Sequence, residues 1–135
     1  MRKTLWTAAA IVSIVIGTSS FIQSDVQKSI TRGKEVYGLY CQNCHMEDGN
    51  GMPEVNPPLA KADYMKRPAK DIISVILKGS TGSLTVNGKK YVGAMPAQEY
   101  LSDEQIADVL NYAKNSWGNK IPGTITPAMV KAQRK

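Results

Sequence analysis

The chain has 135 residues, of which 42% are hydrophobic and 21% are charged, a balance that is typical of one compact domain. This composition excludes a disordered or collagen-like polymer. The net charge of +6 falls to +4 if Arg2 and Lys3 are removed, because no acidic residue precedes Asp25. The remaining basic residues are dispersed and form no recognised nucleic-acid module, so we expect no nucleic acid partner.

The first 24 residues are typical of an export signal. The basic pair Arg2–Lys3 precedes an apolar run from Leu5 to Ile16, and small polar residues follow. The run is shorter than the roughly 20 residues of a membrane-spanning helix, although two further apolar residues extend it. We therefore predict a signal peptide or N-terminal anchor over residues 1–24. The domain would be exported to the periplasm, and membrane-associated if the segment is retained.

The first predicted helix runs from Ser29 to Cys44. Gly33, Tyr37, Tyr40 and Cys44 recur at intervals of three and four, which places them on one helical face. A glycine within a helix costs about 1 kcal/mol relative to alanine, and this cost is usually accepted where another backbone approaches closely. Gly33 therefore indicates a close helix contact.

Three shorter elements follow. The glycine- and proline-rich stretch 47–59 predicts a loop, and Pro68 can open a short helix that Gly79 ends. Asn87-Gly88 is the dipeptide that best fits a two-residue hairpin turn. We therefore predict a small β-hairpin near residues 84–92.

The last predicted helix has a well-marked start. Ser102 and Gln105 can form a capping box, and Leu101 can pack on Ile106 as a hydrophobic staple. Apolar residues follow at spacings of three and four as far as Trp117, and a glycine comes next as the expected stop. One face of this helix is predicted to be buried.

Cys41-Gln42-Asn43-Cys44-His45 carries the most specific chemistry in the chain. The cysteines lie one helical turn apart, which suits thioether bonds to two vinyl groups at one haem edge, and His45 would then meet the iron. A structural zinc site needs four ligands, whereas the chain has two cysteines and one histidine. A thioredoxin-like dithiol is expected near alternating strands and helices, which the sequence does not show. We therefore predict one covalent haem c, attached at Cys41 and Cys44, with its iron ligated by His45.

The second face of the iron needs another ligand, and thioether sulfurs are the candidates because no second histidine exists. Met95 lies fifty residues beyond His45, far enough to wrap around a haem, and Pro96 biases it toward an extended loop conformation. We predict Met95 as the sixth ligand. Met52 and Met65 stay as alternative ligands, and a soft core filler is the alternative role for Met95.

A ligated histidine usually has its second ring nitrogen held by a hydrogen-bond acceptor. The main-chain carbonyl of Pro57 is our candidate for that acceptor, since the segment returns from the loop after His45 and is rigid. The alternative role for Pro57 is simple stiffening of the loop.

Residues from about Ile30 to Trp117 resemble class I cytochromes c. The resemblance rests on a first helix, a haem-attachment motif, a proline loop and a methionine loop, which are Gly33–Tyr37, Cys41–His45, Pro57–Leu59 and Gly93–Pro96. It implies an all-α fold packed around one covalent haem, in which Gly33 and Tyr37 cross Tyr112 of the last helix. We accordingly expect a cytochrome c domain over residues 25–120 and a wrapped or mobile C-terminal extension over 121–135.

The predicted hairpin departs from the shortest members of that family and resembles cytochrome domains that accompany bacterial respiratory oxidoreductases. Tyr91 and the Lys66-Arg67 pair are candidates to approach the haem propionates, with ordinary solvated surface as the alternative. Six basic residues could rim the haem edge and steer an acidic partner, or only solubilise the surface: Lys61, Lys66, Arg67, Lys70, Lys89 and Lys90.

A haem iron with six strong ligands has no open position for a substrate, so we predict electron transfer and no enzyme activity. The protein would serve as a periplasmic shuttle or respiratory-chain carrier between redox protein partners. One alternative is a cytochrome subunit of a larger respiratory oxidoreductase. The other is a peroxidase-like haem enzyme in which Met95 is absent from the iron.

Overall fold

The computed structural model describes residues 25–134, so the predicted export segment lies outside the described residues. The elements in chain order are α1 (25–40), α2 (Gln42–His45), a 3₁₀ helix (Asp63–Lys66), α3 (Ala69–Lys78), β1 (Leu84–Val86), β2 (Lys89–Tyr91), α4 (Asp103–Asn115) and α5 (Pro127–Gln133). The mostly helical fold with one small antiparallel sheet confirms the predicted class. Across positions 25 to 134, no helix is long and apolar enough to cross a membrane.

The core of the fold is the crossing of α1 and α4 at Gly33. A Cβ atom placed on Gly33 would lie 2.0 Å from the main-chain oxygen of Asp108 and 2.8 Å from Cβ of Tyr112. Only a hydrogen at this position lets the two backbones meet. Beside the crossing, the rings of Tyr37 and Tyr112 have centroids 5.4 Å apart. The predicted close contact at Gly33 is therefore confirmed.

Polar side chains reinforce the same crossing. The carboxylate of Asp108, 3% exposed, accepts hydrogen bonds from Ser29 Oγ at 2.6 Å and from Arg32 Nε at 2.6 Å. Asn111 Nδ2 donates to Ser29 Oγ at 2.9 Å. A buried carboxylate is tolerated because these donors satisfy it, so the pairing of α1 with α4 is specific as well as apolar.

The first helix differs from the prediction in its bounds. The helix is already formed at residue 25, and it breaks at Cys41 before α2 resumes at Gln42. The amide of Cys41 still donates to Tyr37 O at 2.9 Å and that of His45 donates to Cys41 O at 2.9 Å, so helical hydrogen bonds are made on both sides of the break. The predicted single helix is thus two segments, with Cys41 at the break and the rest of the haem-attachment motif in the second.

The hairpin and α3 follow the predicted turn chemistry. Pro68 precedes α3, and Gly79 ends it with φ of 72°. Asn87 and Gly88 both have positive φ, 50° and 74°, as a type I′ hairpin turn requires. Strands β1 and β2 pair with Leu84 opposite Tyr91.

The end of α4 corrects one prediction. The capping box of Ser102 and Gln105 is present, but α4 ends at Asn115, and Trp117 has φ of 53° outside the helix. The indole Nε1 donates to Glu47 O at 2.9 Å, and its ring packs 4.9 Å from that of Tyr37. Trp117 therefore lies outside α4, in an aromatic cluster with Tyr37 of α1 and Tyr112 of α4.

The C-terminal segment is wrapped onto the helices. Ile125 and Val130 are buried in the common core, and α5 packs on α3 and α4. The side chain of Asn111 bridges to this segment, donating to Ile125 O at 2.9 Å and accepting from Ile125 N at 2.8 Å. The helix α5 was not predicted, although Thr126 at its N-cap and Pro127 at its first position are the usual start signals.

Candidate haem site

An apolar cavity of about 1180 Å³, including its open mouth, lies between the helices and the hairpin. Its wall contains no charged side chain of the described residues. The apolar part of the wall comes from α3, the hairpin, α4 and the adjoining loops: Leu59, Met65, Ile72, Ile76, Leu84, Val86, Leu101, Val109, Leu110 and Ala113. A cavity with this volume and lining suits a large, mostly apolar ligand.

Both cysteines of the motif lie on the cavity wall. Burial, with a smaller effect of the neighbouring Cys44, raises the pKa of Cys41 to about 11. Before attachment to a haem, Cys41 would therefore be a neutral thiol at physiological pH, without the thiolate character that marks redox-active cysteines. This environment does not favour the dithiol alternative.

His45 lies on the same wall, with its ring oriented by one hydrogen bond. Nδ1 lies 3.0 Å from the main-chain oxygen of Pro57, to which it donates as Nδ1–H, so Nε2 is the nitrogen left for another partner. Burial lowers the pKa of His45, against the opposing effect of the Pro57 hydrogen bond. The neutral imidazole that results is the form that ligates metals.

The loop that carries Pro57 is held by contacts that sequence reasoning missed. Gly51 N donates to His45 O at 3.0 Å, and Asn56 Nδ2 donates to Cys44 O at 3.2 Å. Gly51 has φ of 67°, and a Cβ there would lie 2.6 Å from Pro57 O. The glycine-rich composition of the loop was visible in the sequence, but the close approach that requires Gly51 was not.

Met95 reaches the cavity from a loop fixed to the end of α3. Its amide donates to Ser80 O, and Ser80 N donates to Met95 O, both at 2.9 Å. Gly79 makes this pairing possible, since a Cβ there would lie 2.4 Å from Met95 O. The Met95 loop is also bonded to the loop that carries Pro57, because Gly93 N donates to Val55 O at 2.8 Å.

The other methionine candidates differ in position. Met65, 4% exposed, also lines the cavity, so it stays as an alternative ligand. Met52 is not on the cavity wall, although it lies in the loop after His45. The choice among ligands therefore narrows to Met95 and Met65.

The predicted propionate residues are not on this wall. Tyr91 is buried in the hydrophobic core and does not line the cavity. Lys66 and Arg67 line a separate cleft, and Arg67 stacks on the ring of Tyr64 at 4.3 Å. None of the six basic residues predicted at the haem edge is a wall residue, so the structure places them outside the cavity.

The donor set tests whether a haem fits. One uncharged cavity presents two thiols, an imidazole nitrogen and a thioether, which are the groups that attach and ligate a haem of the c type. No three acidic, cysteine or histidine side chains gather as a metal site in the stretch 25–134. The fold and the site together define a small, mostly helical haem protein.

Comparison with known proteins identifies its family. A cytochrome c family model matches residues 30–117. A cytochrome c-552 of Thermus thermophilus is 31% identical, and the alignment covers 100% of this chain and 97% of that protein. The chain therefore belongs to the cytochrome c family, whose members carry covalently bound haem c with iron and act as electron carriers.

Two further relatives are named as subunits of dehydrogenases. The cytochrome c subunit of quinone alcohol dehydrogenase from Gluconacetobacter polyoxogenes is 38% identical over 73% of this chain, which corresponds to 21% of that protein. The gluconate 2-dehydrogenase cytochrome c subunit of Pantoea cypripedii is 32% identical over 85% of this chain and 28% of its own length. In both cases the matched region is only a part of the relative's longer chain.

Proposed function

We propose that this protein is an exported single-haem electron carrier, with haem attached at Cys41 and Cys44 and its iron ligated by His45 and Met95. One observation carries the proposal: His45 and Met95 come from segments fifty residues apart and line the same uncharged cavity. When bound, the haem supplies one-electron redox chemistry. Two protein ligands leave no position for a substrate, which is the property of a carrier.

The protein residues tune and shield that chemistry. Pro57 fixes the ring plane and the tautomer of His45, so the same nitrogen is always presented. A thioether ligand from Met95 favours the reduced iron and raises the reduction potential. The apolar wall limits the access of water, so the surroundings reorganise little when the charge changes.

Position and partners follow from the rest of the chain. Residues 1–24 support export to the periplasm, with a membrane tether if they are retained. The carrier would exchange electrons with redox proteins through brief contacts that bury little surface. The name of the cytochrome c-552 relative supports a separate shuttle.

A second candidate function is a cytochrome subunit of a larger oxidoreductase. Leu39 and Tyr100 are large apolar residues with 71% and 67% exposure, and the ring of Tyr40 contacts that of Tyr100 edge-on at 6.0 Å. Exposed apolar residues of this size supply the kind of surface that protein interaction sites use. The names of the dehydrogenase relatives point the same way.

Three methionine variants test the ligand assignment. Met95→Ala should lose the spectroscopic signature of a sulfur–iron bond and lower the reduction potential, because the thioether is removed. Met65→Ala removes a sulfur from the same cavity, and Met52→Ala removes one outside it, so both should keep the signature. Loss of the signature in Met65→Ala, with Met95→Ala unchanged, would move the ligand to Met65.

Two further measurements separate the remaining choices. A pyridine haemochrome spectrum should be of the c type with two thioether bonds, and a spectrum of ordinary haem b would reject attachment at Cys41 and Cys44. Sedimentation of the protein released from its native cells, followed by haem absorbance, should show a small free species. Sedimentation only with a dehydrogenase activity would favour the subunit instead.

A further inference from the structure

A second concave site lies on the other side of Tyr64 from the haem cavity. This cleft, of about 880 Å³ including its open mouth, is formed by the end of the 3₁₀ helix, the end of α4 and the loop 120–125. Four of the residues that line it are cationic: Lys66, Arg67, Lys114 and Lys120. No Asp or Glu of the described residues lines it. Its charge is therefore strongly positive in a molecule whose basic residues are otherwise dispersed.

Within residues 25–134, none of these four cations forms an ion pair. The carboxylates that do form ion pairs there are bonded to basic residues outside the cleft. Arg67 is held by stacking on Tyr64 at 4.3 Å, which leaves the edge of its guanidinium free to donate. Unpaired like charges that line one cleft repel each other. A bound anion would remove that repulsion.

Lys114 is the most unusual of the four. Its residue is only 6% exposed, and its ammonium donates to Pro122 O at 3.0 Å. One carbonyl satisfies one of its three donors, and no carboxylate in the described part of the chain compensates its charge. Burial lowers the pKa of Lys114, as expected for a desolvated cation without a counterion. A built side chain of this kind at the back of a basic cleft points to an anionic ligand.

We propose that this cleft is a binding site for a phosphate-type anion, held by Lys114 at its base and by Arg67 and Lys120 at its mouth. Guanidinium and ammonium groups are the usual donors to phosphate oxygens, and charge-assisted hydrogen bonds strengthen where water is scarce. The ligand would be free phosphate, a phosphate monoester or the headgroup of a phospholipid. The shared chemistry is a compact anion with several acceptor oxygens.

The direct test is a titration of the haem-loaded protein with inorganic phosphate at constant ionic strength, followed by NMR of backbone amides. Constant ionic strength keeps general screening unchanged. Saturable shifts should be confined to residues around the cleft, including the loop 120–125. Phosphate should also raise the unfolding temperature, since a ligand that binds only the folded state stabilises it.

Variants locate the binding. Lys114→Met keeps the length of the side chain without its charge and should weaken phosphate binding about tenfold or more. Lys120→Ala should weaken it about threefold, because the residue is exposed. Lys34→Ala is the matched control, since it removes one exposed lysine that does not line the cleft. It should leave the affinity unchanged.

The outcomes separate the possibilities. Equal weakening in Lys34→Ala and Lys120→Ala, or non-saturating shifts at many lysines, would overturn the proposal, since binding would then be general screening. If Lys114→Met does not fold, the Arg67→Gln and Lys120→Ala double variant serves instead, and unchanged affinity there would overturn it. Absence of phosphate binding would overturn it as well, and would be the result if a haem propionate already fills the cleft.

A vesicle arm identifies the source of the anion. Binding to phosphatidylglycerol vesicles but not to phosphatidylcholine vesicles, with competition by phosphate, would assign the ligand as a lipid headgroup. Phosphate binding without vesicle binding would assign a free anion. Both results support the site, and neither depends on the ligand set of the iron.

Discussion

Replacement of Gly79 by alanine should displace the loop that carries Met95. Gly79 has φ of 72°, and a Cβ there would lie 2.4 Å from Met95 O and 2.8 Å from Ala97 N. The left-handed backbone costs a residue with a Cβ about 1–2 kcal/mol. Overpacking against two backbone atoms adds about 1–3 kcal/mol. We therefore expect Gly79→Ala to lower the free energy of unfolding by about 2–5 kcal/mol.

Gly82→Ala is the control that isolates the contact with Met95. Gly82 has φ of 86°, but nothing lies within 4 Å of a Cβ placed there, so only the backbone cost of about 1–2 kcal/mol applies. Urea unfolding of the haem-loaded protein gives both values, and carbon monoxide binding to the reduced variants reports on the Met95 loop. Equal losses in the two variants, with equal resistance to carbon monoxide, would refute the close packing of Gly79 on Met95.

Three further predictions concern α1, α4 and the segment that follows α4. Gly33→Ala should lower the free energy of unfolding in urea by at least about 3 kcal/mol, because its Cβ would lie 2.0 Å from Asp108 O. Gly38→Ala, on the open side of α1, should raise it by up to about 1 kcal/mol. Similar values for both variants would contradict the close crossing of α1 and α4. Asn119→Ala should lower the free energy of unfolding by about 2–4 kcal/mol, since this side chain is 6% exposed and forms hydrogen bonds with two main-chain carbonyls and one main-chain amide. A loss below about 0.5 kcal/mol would show that water replaces the side chain in these bonds. Because the pKa of Lys114 is lowered in the folded protein, the unfolded chain holds this proton more tightly. The free energy of unfolding of the wild-type protein, compared with that of Lys114→Met, should therefore rise with pH in the window just below the ordinary pKa of 10.5. Parallel pH profiles of the two proteins would contradict this.

The local signals in the sequence predicted the elements well where a short segment decides its own conformation. Asn87-Gly88 can adopt two positive φ angles cheaply, and the hairpin formed there. Ser102 and Gln105 satisfy the first amides of α4 by themselves, and the capping box is present. Gly33 indicated a close contact because a glycine destabilises a helix, and a close backbone contact is the usual reason that this cost is accepted.

The prediction was wrong where distant residues decide. Trp117 continues the spacing of α4, but its indole bonds to Glu47 and packs on Tyr37, and these contacts draw it out of the helix. Glu47 lies seventy positions away in the chain, and helical spacing cannot show a contact over that distance. The break at Cys41 was missed for a related reason, since the pattern of apolar residues continues through it.

The candidate site was predicted in its residue types more than in its support. The spacing of Cys41, Cys44 and His45 is a local motif, and it indicated an attached haem by itself. The sequence already ranked Met95 above Met52 and Met65, but only the fold shows that Met95 and Met65 line the cavity and that Met52 does not. The basic cleft was not predicted at all. In the sequence Lys114 and Lys120 resemble ordinary surface lysines, and only the folded C-terminal segment brings them into one cleft.

Carbon monoxide binding to the reduced protein tests the central claim, a haem iron closed by His45 and Met95. A stable thioether ligand leaves no free position, so the wild-type protein should bind carbon monoxide slowly and to a small extent. Met95→Ala should bind it rapidly and completely, whereas Met52→Ala should behave as wild type. Rapid, complete binding by the wild-type protein would contradict the account, and would favour a haem enzyme with an open iron.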